Sequence, residues 1–376
     1  MNSKKVMWDI SGAFGDIGIL FPISIALIAQ NGFNPTALFL SAGLFYILSA
    51  WYFKITMPVQ PLKAMSAVAI ATGMSSEIIN TAGIILGFIL IVLALTGLSD
   101  ELGRVFPVPV IRGIQLGLGM MLVRASLNLM GSDIFMAVLV GSILAANMYL
   151  LKKLPPLLFI LPLGGVIALG EMDLSSLGPV AIAPGLPDPG LFWIAFTMLV
   201  LPQISLTIGN AVVATEATAK QLYKERAGRV TFKSVPLSIG IANIASGLVG
   251  GVPMCHGSGG LTAHSKFGAS GERSGYIIGS TLIVLALFFG TASLSFISAF
   301  PSGILGALLC YVGLQHSMLI KDIQNDFRAV FIAMTVGITG FLTHNLTIGF
   351  LTGIVLHYGM NVLDRMDVPF GVKARE

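Results

Sequence analysis

The chain has 376 residues, of which 55% are hydrophobic and only 10% charged, with 44 glycines, a net charge of +4 and a mean hydropathy of +0.90. That balance excludes a soluble globular domain and a disordered chain, and it marks an all-α polytopic membrane protein. Cys255 and Cys310 both lie in apolar surroundings, at a spacing that builds neither a disulfide framework nor a metal site.

In chain order, apolar runs broken by Gly, Pro and charge predict spans at 7–29 and 35–53, a half-helix at 60–72, and spans at 77–97, 107–129, 133–151 and 156–170. Lys4 and Lys5 precede the first apolar run much as in a signal peptide, but no small-residue cleavage site follows, so the run reads as the first span. After the Pro/Gly-rich stretch from Leu177 to Gly190 come 191–216, 234–250, a half-helix at 256–266, 274–292, 299–318, 327–343 and 345–363. Fourteen transmembrane segments result, seven in 1–176 and seven in 177–376. The tail beyond residue 363 is too short to fold alone.

Charge tests this layout. With the amino terminus inside, Lys4, Lys5, Lys54, Arg104, Lys152, Lys153, the cluster from Lys220 to Lys233, Lys266, Arg273, Lys321, Arg328 and Arg365 all fall at cytoplasmic ends. The opposite loops, including 171–190 with Glu171, Asp173 and Asp188, carry no Lys or Arg. The net positive charge therefore reports topology and not a nucleic-acid partner, and both termini are expected in the cytoplasm, at the cell (inner) membrane. An odd number of crossings per half gives the halves opposite orientations, which is the 7+7 inverted-repeat plan of secondary transporters. Pro58 and Pro253 stand 195 residues apart, and the pairs Gly15-Asp16 and Gly209-Asn210 stand 194 apart, so the register repeats.

Two motifs interrupt the apolar text: Met57-Pro58-Val59-Gln60-Pro61-Leu62-Lys63 and Val252-Pro253-Met254-Cys255-His256-Gly257-Ser258-Gly259-Gly260. Unwound backbone at membrane depth is tolerated only where protein buries it or a cavity wets it, and paired broken helices usually frame a substrate. Each half-helix aims an amino terminus, worth about half a positive charge plus unpaired N–H groups, at the membrane centre. Two facing termini suit a dianion. Gln60 offers an amide, Pro61 fits the first helical turn where no N–H is needed, and Lys63 adds a full charge. The glycines at 257, 259 and 260 admit a tetrahedral anion to the backbone, while Ser258 and His256 offer side-chain donors. Gln203, Thr207 and Asn210 form a polar stripe at helical spacing that completes the cage.

Each residue has a plainer reading. The glycines suit a close helix crossing, His256 a satisfied core histidine, and the 203–210 stripe an interhelical hydrogen-bond seam. Lys63 either contacts substrate or pairs with Asp16. Arg124 is expected to pair with Asp133 or Glu77. For proton coupling Asp16 is the first candidate carboxylate and Glu216 the second, although Glu216 stands four residues before Lys220 in the register of an ordinary helix-end ion pair.

These two motifs, with Leu201-Pro202-Gln203-Ile204-Ser205-Leu206-Thr207, resemble the molybdate-transporter branch of the SulP anion-transporter superfamily over essentially the whole chain. The resemblance implies a core domain of spans 1–4 and 8–11, a gate domain of spans 5–7 and 12–14, and short extended strands before half-helices 3 and 10. It also implies molybdate, or tungstate, as the substrate, the capacity to form a homodimer, no cofactor, and no STAS domain such as many members carry. Sulfate and bicarbonate carriage, a passive anion channel and a nucleobase permease on the same fold remain the rivals. A nucleobase site would be expected to use carboxylates, and the half-helix starts hold none. An enzyme is not expected: the chain has no H-E-x-x-H, Walker A or G-x-S-x-G motif.

Overall fold

Apolar runs free of breakers become helices because a lipid-embedded backbone must satisfy its N–H and C=O groups internally. The computed structural model describes residues 3–15, 17–98, 101, 106–146, 157–170 and 177–365. Where one first span is predicted, it has two helices, α1 (Ser3–Ala13) and α2 (Ile17–Asn31). The chain turns at Phe14 and Gly15, with Gly15 N–H donating to Gly12 O at 3.1 Å. Gly15 permits this break to press on a neighbouring backbone, since a Cβ there would lie 3.0 Å from Ala263 O.

The next helices end where their sequence says they should. Asn34 caps α3 (Pro35–Phe53) by accepting from Ala37 N–H, and Lys54 closes it in the left-handed region at φ 57°. An extended pair, β1 (Gln60–Pro61), leads into α4 (Lys63–Thr72), and Gly73 at φ 66° ends that short helix. Then come α5 (Ser76–Thr96), α6 (Val108–Gly131), α7 (Ile134–Ala146) and α8 (Leu157–Gly170). The segment from residue 177 to 188 is extended and pinned: Val180 N–H donates to Thr36 Oγ1 at 2.8 Å, and Gly185 N–H to Leu248 O at 3.0 Å.

In the second half, α9 (Pro189–Ala227) runs for 39 residues and outlasts the predicted 191–216. Two stretches of it, Phe196–Val200 and Thr207–Val213, are wound as π-helix. After it follow α10 (Ser234–Leu248), β2 (Met254–Cys255), α11 (Ser258–Lys266), α12 (Glu272–Ala299), α13 (Ser302–Ser317), α14 (Phe327–Leu342) and α15 (Leu346–Arg365).

Six helices among the described residues are long and apolar enough to cross a membrane: α3, α5, α6, α9 and the runs Ser302–Ile323 and Leu346–Asp364. The chain is a mostly helical, multi-pass membrane protein. Large apolar side chains such as Leu48 and Trp51 on α3, Phe88 on α5, Leu342 on α14 and Val355 on α15 lie exposed, where acyl chains are the natural solvent.

Packing divides the helices into two neighbourhoods. In one, α3 lies along α12 and α5 along α10; in the other, α13 and α14 both lie on α6, with α7 on α13 and α15 on α14. Helix approach rests on glycine, as expected where lipid supplies no hydrophobic drive for association. A Cβ on Gly43 would fall 2.7 Å from Gly279 O, and one on Gly279 would fall 2.7 Å from Gly43 O; Gly87 and Gly240 are related in the same reciprocal way, also at 2.7 Å. Gly87→Val is therefore expected to force α5 from α10 and leave little folded protein by size-exclusion chromatography in detergent. Gly141→Ala on α7, where a Cβ meets nothing within 4 Å, is expected to hold or raise stability, by up to about 1 kcal/mol from helix propensity.

Candidate functional site

The lead-ins to the two short helices hold each other. β1 and β2 pair antiparallel, Gln60 opposite Cys255 and Pro61 opposite Met254, and Leu62 N–H donates to Pro253 O at 3.0 Å. Further backbone groups of the unwound segments find side chains. Asn243 Oδ1 on α10 accepts from Met254 N–H at 2.7 Å, and Ser246 Oγ donates to Val252 O at 2.8 Å. Gly83 on α5 makes room for Pro253, whose Cγ would lie 2.4 Å from a Cβ there. The helices proper begin at Lys63 and Ser258, later than the predicted 60 and 256, so Pro61 sits in the strand and not in the first helical turn.

His256 serves this scaffold. Its Nδ1 lies 2.8 Å from Pro58 O, which can only accept, so the neutral ring carries its proton at Nδ1 and accepts at Nε2 from Ser238 Oγ at 3.1 Å. Phe45 and Phe53 pack on the ring, which is fully buried. Both of its polar atoms are thus used by protein.

The other candidates converge. Lys63 opens α4, and Gln203 on α9 accepts at Oε1 from Met65 N–H in the first turn of that helix (3.0 Å) while donating from Nε2 to Thr207 Oγ1 (3.1 Å). Ser258 opens α11 and donates to Asn210 Oδ1 at 3.1 Å, leaving the NH2 of Asn210 as its remaining donor. Asn210 lies in the π-helical stretch of α9, a winding common at functional sites. Gln60 is fully buried, and Gly257 lets its Oε1 approach to within 2.8 Å of where a Cβ would be. Gly259 faces open space.

Lys63, Gln203 and Asn210 wall a cavity of about 20 Å³, together with Cys255, Gln115 of α6 and His316 of α13. A space of that size holds one water molecule and no tetrahedral oxyanion. Among the described residues, Lys63 has no carboxylate within ion-pair distance.

Residues 9–122 and 195–315 match the profile of a family described as the molybdate transporter of the MFS superfamily. The chain belongs to the molybdate transporter family. Molybdate transporter 2 of Arabidopsis thaliana is 27% identical, with 93% of this chain and 86% of the relative covered; molybdate transporter 1 of Chlamydomonas reinhardtii is 25% identical, with 93% and 91% covered. Among solved structures, the transmembrane domain of the cyanobacterial bicarbonate transporter BicA aligns with a TM-score of 0.68 at 19% identity, covering 93% of this chain and 98% of that one. SLC26A9 aligns with a TM-score of 0.71 at 14% identity, covering 96% of this chain and 66% of that one. Family and fold make the protein a transporter and not an enzyme.

In this family member Glu216 and Arg124 stand apart from the cavity. Asp16 lies outside the described residues. Glu216, further along α9, is buried and ion-paired to Lys220. Arg124 pairs with neither Asp133 nor Glu77: its Nη1 meets His344 Nε2 at 2.9 Å, because the turn between α14 and α15 brings that ring over α6. Gln115 and His316 were not singled out from the sequence, although each is a polar residue within a predicted apolar span, the ordinary sign of an intramembrane role.

His256→Ala should orphan buried partners on both sides of the ring and cost about 1–3 kcal/mol of stability whether or not an oxyanion is present. Denaturant titration in mixed micelles checks this, with Gly259→Ala, which touches no neighbour, as the variant expected to match the unaltered protein.

Proposed function

We propose that this chain is a secondary active transporter of a tetrahedral oxyanion, molybdate with tungstate as its close analogue, bound between the first turns of α4 and α11. The observation that carries the reading is the meeting of Lys63, at the start of α4, with the amides of Gln203 and Asn210 on one cavity, while Ser258, at the start of α11, donates to the same Asn210. Gln60, Thr207, Gly257, Ser258 and Gly259 form the frame behind it, with His256 holding that frame from outside. Donors and positive charge dominate this wall, which suits a dianion and gives a nucleobase no carboxylate to bind. The family's relatives, named as molybdate transporters, supply the choice among oxyanions.

Fourteen spans in a 7+7 inverted repeat support the same mechanism. The reciprocal glycine crossings fit it: exchanging the halves maps the Gly43–Gly279 contact onto Gly240–Gly87. Spans 1–4 and 8–11 act as the core and spans 5–7 and 12–14 as the gate, so that the cavity lies on their boundary. Its size requires the two sides to part before an oxyanion enters, which is alternating access. Both termini lie in the cytoplasm at the inner membrane, and the fold permits a homodimer.

Uptake of a dianion against an inside-negative potential costs about 2.3 kcal/mol per charge per 100 mV, so protons drive accumulation. Asp16 is the preferred carrier of the coupling proton, since Glu216 is engaged by Lys220. Calorimetric titration is expected to show tight molybdate and tungstate binding, weak sulfate binding and none for uracil, with Lys63→Met and Ser258→Ala weakening binding at least tenfold. Uracil binding, or no oxyanion binding, would overturn the assignment. In proteoliposomes Asp16→Asn should abolish the pH dependence of uptake while binding stays measurable.

A further inference from the structure

Two polar side chains on the cavity wall come from neither the broken-helix segments nor α9. Gln115 lies on α6 and His316 on α13, and the helices that carry them are held at one crossing. A Cβ on Gly119 would fall 2.4 Å from Gly313 O, and one on Gly313 would fall 2.7 Å from Gly119 O. Gly119 is one turn beyond Gln115 and Gly313 one turn before His316, so backbone contact fixes both side chains at the cavity.

Their chemistry is directed. Arg112 Nη1 donates to Gln115 Oε1 at 2.8 Å, and Asp322 holds the same guanidinium through Nη2 at 2.6 Å. Because arginine only donates, the amide oxygen of Gln115 is committed to it and the NH2 is what Gln115 has left to offer. His316 is 9% exposed, and its Nδ1 has no hydrogen-bond partner among the described residues. A buried polar atom left unpaired carries a desolvation cost, which a partner in the adjoining cavity would relieve. Lys63 and the NH2 of Asn210, both donors, line the same cavity.

We propose that His316 and Gln115 are the second half of the substrate site: N–H donors on α6 and α13 that grip the oxyanion together with Lys63 and Asn210. This rests on the oxyanion reading above and deepens it. With α6 and α13 in the gate as proposed above, a bound oxyanion bridges core and gate and favours closure, whereas binding to the open site needs only the core side. His316 and Gln115 therefore set transport rate as well as affinity.

The test is thermal unfolding of the purified full chain, titrated with tungstate, together with tungstate uptake into proteoliposomes. His316→Leu removes the unpaired atom, so its unfolding temperature without tungstate should equal or exceed that of the unaltered protein, while apparent tungstate affinity falls about ten- to hundredfold and uptake is lost. His316→Asn, whose amide N–H takes the place of Nδ1–H, should stay within about threefold of the unaltered affinity. Gln115→Glu keeps the contact to Arg112 but turns a donor into an anion, and should abolish binding.

Unaltered affinity and uptake in both His316→Leu and Gln115→Glu would overturn the proposal, and if His316→Leu fails to fold, Gln115→Glu decides it. Failure of the unaltered protein to bind tungstate overturns the oxyanion reading and this inference together. Loss of binding in Lys63→Met with none in the His316 and Gln115 variants overturns this inference alone.

Discussion

The structure depends on a four-residue antiparallel pairing, Gln60–Pro61 against Met254–Cys255, placed among helices in a membrane protein. Extended backbone in a hydrocarbon environment is ruinous unless each N–H and C=O finds a partner, and a helix cannot start in mid-membrane without orphaned donors. Each lead-in solves the problem for the other. What pairing leaves unsatisfied, Asn243, Ser246 and His256 take up, and the first turn of α4 is met by Gln203. With that frame in place, Lys63 at the start of α4 shares a cavity wall with Asn210, which accepts from Ser258 at the start of α11.

The same frame explains why proline and glycine crowd the two motifs. Proline suits an extended segment that cannot spare a donor: Pro58 and Pro253 give their carbonyls to His256 and Leu62. Glycine at 257 allows Gln60 to close in, and glycine at 83 receives Pro253 from the side. Backbone close approach recurs at the helix crossings, where reciprocal glycine pairs replace the hydrophobic drive that lipid removes. Stability and site geometry are therefore set by the same small residues.

Much of this was legible in the sequence, because composition, apolar run length and the placement of Lys and Arg are one-dimensional signals. The two broken helices announced themselves as Pro-Gly-polar interruptions, and Lys63, Gln203 and Asn210, which line one cavity, stood out as polar residues in apolar runs. What the sequence concealed was direction. His256 sits in the richer motif yet points to Pro58 and Ser238, since strand pairing alternates which way successive side chains face. The break at Gly15, which splits the first span, carries no proline and reads as an ordinary apolar helix. Arg124 met His344, 220 residues away, and no spacing rule reaches that far. Gln115 and His316 join that cavity wall only through the tertiary placement of α6 and α13.

The central claim is that the amino termini of α4 and α11 jointly bind one oxyanion. An anomalous difference map from crystals of the protein grown with tungstate tests it most directly, because tungsten is located without interpretation of weak density. One strong peak between the first turns of α4 and α11, within hydrogen-bond reach of Lys63 and Ser258, is the expected result. A tungsten peak elsewhere in the protein, with none between those two helix starts, would contradict the account.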